Sequence, residues 1–426
     1  MKGSLAHRVA SLALVALVAM MCVAPAWKAG PTFGVWRDAH RLYIVDFCAH
    51  LVFARGVWTG HASHAGASDA AAHASAYAPA SHLAMSRAWA REPLSVALPF
   101  GYSPVMLYVL GPLTALPNHM AFAIWMALSL LAVYWLTHPS RTAFGAGLIL
   151  FLTPLGLSCF RLGQTACVGA AALLFLAGTT LVPPDTTDTR RRFLGLDARG
   201  WGAAVVLAAL AAKPPLALAA GAALLALGRV RVVACAVALA ALCALIATPW
   251  LGTSWPRDYL ELALHYDRVN ADPAFAWSLA PARMSTLRAL LALDFGVADD
   301  VASRASSLAW LASLVALVVV GRRTAHTETP RVWAVAILGY LALCPHVTAT
   351  EVLLAIVPLV LCLVPDVAAL QRPAHAALFL TLVALPTLSP SVGPLAGVRW
   401  PQFLLLVGLA VALRPRIARV PVATAS

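Results

Sequence analysis

Apolar runs of about 15 to 20 residues, the length that crosses a bilayer core as a helix, recur along this chain, and short arginine clusters stand between them. The runs lie at Asn118 to Thr137, Phe144 to Phe160, Ala166 to Val182, Trp201 to Ala212, Pro214 to Leu227 and Val232 to Leu251. They resume at Ser306 to Val320, Val332 to Leu343, Val352 to Val364, His375 to Leu388 and Pro401 to Leu413. Together with an N-terminal run, "VASLALVALVAMMCVAPAW", they predict an all-α polytopic membrane protein with about twelve crossings. Composition agrees, with 61% hydrophobic and 11% charged residues and a mean hydropathy of +0.83. The N-terminal run ends in an A-x-A-like pattern at Ala24 and Ala26, compatible with a cleaved signal peptide. Its span length and the polytopic chain behind it favour a retained anchor.

A net charge of +13 raises nucleic acid as a partner, but the arginines do not form a stripe. They fall between apolar runs, the pattern that the positive-inside rule produces. Alternation puts Lys2, Arg141, Arg190 to Arg192, Arg229 with Arg231, Arg322 with Arg323, Arg372 and the tail "RPRIAR" on one side. Both termini are therefore expected to be cytoplasmic in an inner-membrane, multi-pass protein. The segment "YSPVMLYVLGPLTALP" would break the alternation if it crossed, so it is read as a re-entrant or interfacial half-helix interrupted at Gly111 and Pro112. The chain then forms one membrane domain over residues 1–426, with a long first outer loop, 28–117, and a second, 252–305.

Of the eight cysteines, most lie inside apolar runs and none has CxxC spacing, so neither a disulfide framework nor a zinc site is expected. The histidine tract "HASHAGASDAAAHASAYAPASH", with His61, His64, His73 and His82, is irregular and of low complexity. It is read as a flexible loop in preference to a metal site. No cofactor and no metal is expected.

Ionisable residues left outside or near the outer membrane surface mark the expected site. They are Asp46 in "LYIVDFCAHLVFARGVWTG", read as an interfacial helix; Arg161, beside the Gly163-Gln164 reversal; Lys213, before Pro214 and Pro215; and His346 and Glu351 in "CPHVTATEVLL". A cation beside a proline-broken helix suits a phosphate. Snorkelling is the alternative for Arg161 and a capping role for His346 and Glu351. Asp38 is the alternative acid to Asp46.

These motifs, in this order, resemble the membrane glycosyltransferases of family 87, the polyprenyl-phosphate-mannose-dependent mannosyltransferase-like proteins. The similarity runs from "DFCAHLVFARGVWTG" through "PFGYSPVMLYVLGPLTALP", "GQTACVGAAALLFLA" and "KPPLAL" to "CPHVTATEVLLAIVPL". The third segment departs from the family pattern, which carries an Asn soon after Gly-Gln where this chain has Thr165, Ala166 and Cys167. The resemblance implies a GT-C fold that takes a hexose, usually mannose, from a polyprenyl-phosphate-linked sugar. A lipid or glycan acceptor receives it at the outer face, with inversion. In such a site Asp46 is the base, Arg161, Lys213 and His346 face the donor phosphate, and Tyr102, Gln164 and Glu351 contact substrate. Two rivals stand beside it: a secondary transporter or flippase, and an outer-leaflet glycan ligase or polymerase. No internal repeat is evident for the first, and the early Asp-bearing loop argues against the second.

A nucleotide-sugar donor is not expected. The longest cytoplasmic connection, "PPDTTDTRRRFLGLDARG", is too short to fold into a domain, and its Asp185 and Asp188 lack DxD spacing.

Overall fold

The computed structural model of the chain describes residues 46–59, 75–78, 100–137, 164–181, 193–264, 286–324 and 329–355, with isolated positions beside them. Among the described residues the architecture is helical. In chain order these are α1 (Asp46–Trp58), α2 (Val105–Leu110), α3 (Asn118–Thr137), α4 (Ala166–Leu181), α5 (Ala198–Leu210), α6 (Pro214–Ala226), α7 (Val230–Leu251), α8 (Trp255–Leu264), α9 (Asp299–Thr324) and α10 (Thr329–Leu343). The first apolar run, the runs at Phe144 (apart from Cys159), His375 and Pro401, and the four histidines of the tract lie outside the described residues. Within the tract Ser75, Ala76 and Tyr77 are described and fully buried, so this part of it is packed and not a flexible loop.

The ends follow local chemistry. Asp197 adopts extended backbone and its Oδ1 accepts from Gly200 N at 2.7 Å, capping α5. Lys213 forms the turn that ends the α5 stretch, and Pro214 and Pro215 open α6, where a missing N–H costs nothing. Gly252, at φ 83°, stops α7 just after the internal Pro249. The half-helix breaks at the expected dipeptide: α2 ends at Leu110, and Gly111–Leu113 continues as a 3-10 turn.

Two helices, Val230–Leu251 and Asp299–Arg323, are long and apolar enough to cross a membrane, and shorter apolar helices accompany them. Twelve crossings are therefore more than the described helices establish. The outward faces carry Leu245 at 73% exposure, Leu308 at 69% and Val315 at 64%. Apolar side chains bared along such helices belong in lipid. Two runs differ from their expected form. α9 starts earlier than Ser306, because Asp299 and Asp300 suit a helix N-terminus and are only trimmed by hydropathy. The run expected from Val352 begins as a 3-10 segment, Ala349–Ala355.

Two cores result. The larger joins α4, α5, α6, α9 and α10 through Ala and Leu, with Trp333 and Tyr340 fully buried. Small residues let α6 and α9 approach closely: a Cβ on Gly321 would lie 2.7 Å from that of Ala226. Gly321→Leu is accordingly expected to cost about 1–3 kcal/mol or more, read as a lower thermal midpoint in detergent, with Gly339→Ala, whose nearest neighbour is 3.7 Å away, as a mild control. The smaller core is aromatic. It holds Phe47, Phe53, Tyr77, Phe100 and Trp125 around α1, with Phe53 and Phe100 stacked at 4.2 Å. α1 is thus packed within protein along Leu51, Val52, Ala54 and Val57 as well. Arg55 fastens its end to the next hairpin through Thr114 O at 2.9 Å, Leu116 O and Asn118 Oδ1.

Candidate active site

The helices alternate in direction, so their connections gather at two ends of the bundle. One end holds the start of α4, the α5–α6 turn, the start of α9 and the end of α10. Ser103 ties the Tyr102 segment to that turn: its N–H donates to Ala212 O at 2.9 Å and its hydroxyl to Ala211 O at 2.6 Å. Tyr102 is thereby held beside Lys213. Its hydroxyl shares a hydrogen bond with Thr165 Oγ1 at 3.2 Å, at the residue next to Gln164, and Tyr77 donates to its carbonyl at 2.9 Å.

Lys213 and Glu351 form an ion pair, with Lys213 25% and Glu351 2% exposed. Tyr340 donates to the other Glu351 oxygen at 2.6 Å. Both carboxylate oxygens of a buried acid are thus satisfied, the condition under which such a charge is tolerated. Three of the sequence-derived residues, Tyr102, Lys213 and Glu351, therefore converge, with Gln164 one residue from the contact.

His346 follows the α10 end, and burial, with Arg288 and then Lys213 nearby, brings its pKa down to about 4. His50 lies on α1, its ring edge-on to Tyr102 at 4.7 Å. Burial first, then the Lys213 charge, lowers its pKa to about 3. Both imidazoles are neutral at neutral pH, so neither adds to the cationic charge. Among the described residues, His50 Nδ1 is buried with no hydrogen-bond partner.

Sequence reasoning missed several members. Arg288, fully buried, holds Asp299 in a two-pronged pair at 2.8 and 2.6 Å and donates to Pro345 O at 3.3 Å, next to His346. It lies in what hydropathy reads only as outer loop. Tyr340 is hidden inside an apolar run. His50 has one usable signal: it stands one helical turn after Asp46, on the same face. Asp46 is the first residue of α1, and its side chain lies outside the described residues, as does Arg161.

A membrane protein whose described residues form a helical bundle with a polar, ion-paired cluster at one end is the class these observations define. The match to a family model goes further: residues 100–344 match glycosyltransferase family 87, and the chain belongs to that family. It is a membrane glycosyltransferase, with a sugar donor and an acceptor as substrates, which favours that reading over a transporter. No curated protein and no solved structure matches the chain.

Proposed function

We propose that the chain moves a hexose, with mannose the first candidate, from a polyprenyl-phosphate donor to a lipid or glycan acceptor, with inversion. The reaction takes place on a GT-C fold at the outer face of the inner membrane. The observation that carries this reading is the convergence of Tyr102, Lys213 and Glu351 at one bundle end in a family 87 chain.

Asp46 accepts the proton of an acceptor hydroxyl as its oxygen bonds to the anomeric carbon. The bond from that carbon to the phosphate oxygen breaks on the opposite side, and the polyprenyl phosphate leaves with the electron pair. One displacement inverts the centre. An ammonium carries three donors, so Lys213 can keep Glu351 and still donate to the departing phosphate. Arg161 supplies the charge that the Lys213–Glu351 pair does not, and His346 and Gln164 orient the donor. Glu351 acts by holding Lys213 where phosphate charge develops, inside a partly dehydrated site. A single phosphate monoester or diester charge is within reach of such cations without a divalent metal.

The test is purified protein in detergent with an acceptor extract, given either donor type in the presence of chelator. Transfer from the polyprenyl-phosphate sugar and none from the nucleotide sugar is expected. Transfer from GDP-mannose without a lipid carrier, or lipid-donor transfer that stops with chelator and returns with metal, would overturn the donor assignment.

A further inference from the structure

The other end of the bundle, away from Lys213, carries a second polar feature. α5 begins at Ala198 and α6 ends at Ala226, so both lie about 20 Å along the helix axes from the Lys213 turn. Between these ends and the start of α7 opens a cavity of about 420 Å³ whose lining includes Gly195, Asp197, Arg199, Gly228, Arg229 and Arg231. That volume accommodates a small headgroup.

Three arginines and one acid, Asp197, line the cavity, and the Asp197 carboxylate already caps α5 through Gly200 N. Among the described residues the ion pairs are Lys213–Glu351, Arg288–Asp299 and Arg304–Asp300, so none compensates these arginines. Arg231 reaches only Gly195 O, at 3.5 Å, a marginal hydrogen bond. The cavity therefore has unspent donors of the kind that grips phosphate.

The turn at its rim says which phosphate. Phe193 and Leu196 pair across a two-residue turn whose central residues are Leu194, at φ 50°, and Gly195, at φ 73°. A leucine in the left-handed region is strained, where Asn or Gly would be at ease. Yet Leu194 is 65% exposed and Phe193 68%, so among the described residues no core rewards them. Trp201 stacks on Phe193 at 5.7 Å and donates to its carbonyl at 3.1 Å. An apolar tip braced by an aromatic pair is what interfacial anchoring requires.

We infer that the cavity bounded by Arg199, Arg229 and Arg231 binds the phosphodiester headgroup of an anionic phospholipid, whose acyl chains lie against Phe193 and Leu194. The site is separate from the transferase cluster, and the inference does not rest on the donor assignment.

The test uses the full chain reconstituted in nanodiscs of phosphatidylcholine and phosphatidylglycerol, extracted and read by native mass spectrometry for retained lipid. Wild type is expected to retain phosphatidylglycerol over phosphatidylcholine. Replacing all three arginines (Arg199→Gln, Arg229→Gln, Arg231→Gln) should reduce that retention at least about tenfold. The pair Arg322→Gln, Arg323→Gln removes exposed charge from the same end outside the cavity and should leave retention unchanged. Leu194→Asn tests the apolar tip without a folding penalty: thermal stability should hold or rise while retention falls. Undiminished retention in the triple variant or in Leu194→Asn, equal losses in the triple and the Arg322/Arg323 variants, or displacement of the lipid by millimolar glycerol 1-phosphate would overturn the assignment.

Discussion

Lys213→Met is expected to lower stability by about 3 kcal/mol or more, because it leaves the Glu351 carboxylate buried without its counter-charge. Glu351 is 2% exposed, so water cannot replace the ammonium, and the Tyr340 hydroxyl satisfies only one oxygen. Adding Glu351→Gln removes the stranded charge, and Tyr340 can still donate to the amide oxygen. The double variant should recover most of the lost thermal stability in detergent. Its turnover should stay depressed, since Glu351→Gln restores nothing that faces the donor phosphate. Recovery of both stability and turnover would make Lys213 a structural residue alone.

Asp46→Asn is expected to reduce transfer by about a hundredfold to ten-thousandfold, the usual contribution of a positioned base. The change keeps side-chain size and opens no cavity, so folding and donor-lipid binding should be nearly unaffected. α1, which Asp46 begins, is anchored by Arg55 and by the aromatic core. Near-normal turnover in Asp46→Asn together with loss in Asp38→Asn would reassign the base to Asp38.

Much of the helical frame was legible because the apolar runs are long and their breakers chemically explicit. Pro214-Pro215 after Lys213 dictates both the end of one helix and the start of the next, and Gly111-Pro112 halts the half-helix where expected. What hydropathy trims is charge at helix ends. Asp299 and Asp300 belong to α9 because an acid suits a helix N-terminus and because Arg288 waits for Asp299. Pairings distant in sequence were out of reach: nothing near Lys213 announces Glu351 as its partner, and Tyr340 reads as one more apolar residue until the fold puts its hydroxyl on that acid. His50 was legible in principle, one turn beyond Asp46, but a lone histidine in an apolar helix carries no signal until a tyrosine ring stands against it.

The donor phosphate is expected to bind at the Lys213 end of the bundle. The most direct measurement is photolabelling of the purified protein with a polyprenyl phosphate bearing a diazirine next to the phosphate, followed by peptide mapping of the adducts. Adducts competed by the unlabelled lipid-linked sugar are predicted in residues 164–168, 211–216 and 344–351. Competable adducts confined to residues 193–201 and 228–232, at the opposite end, would contradict it.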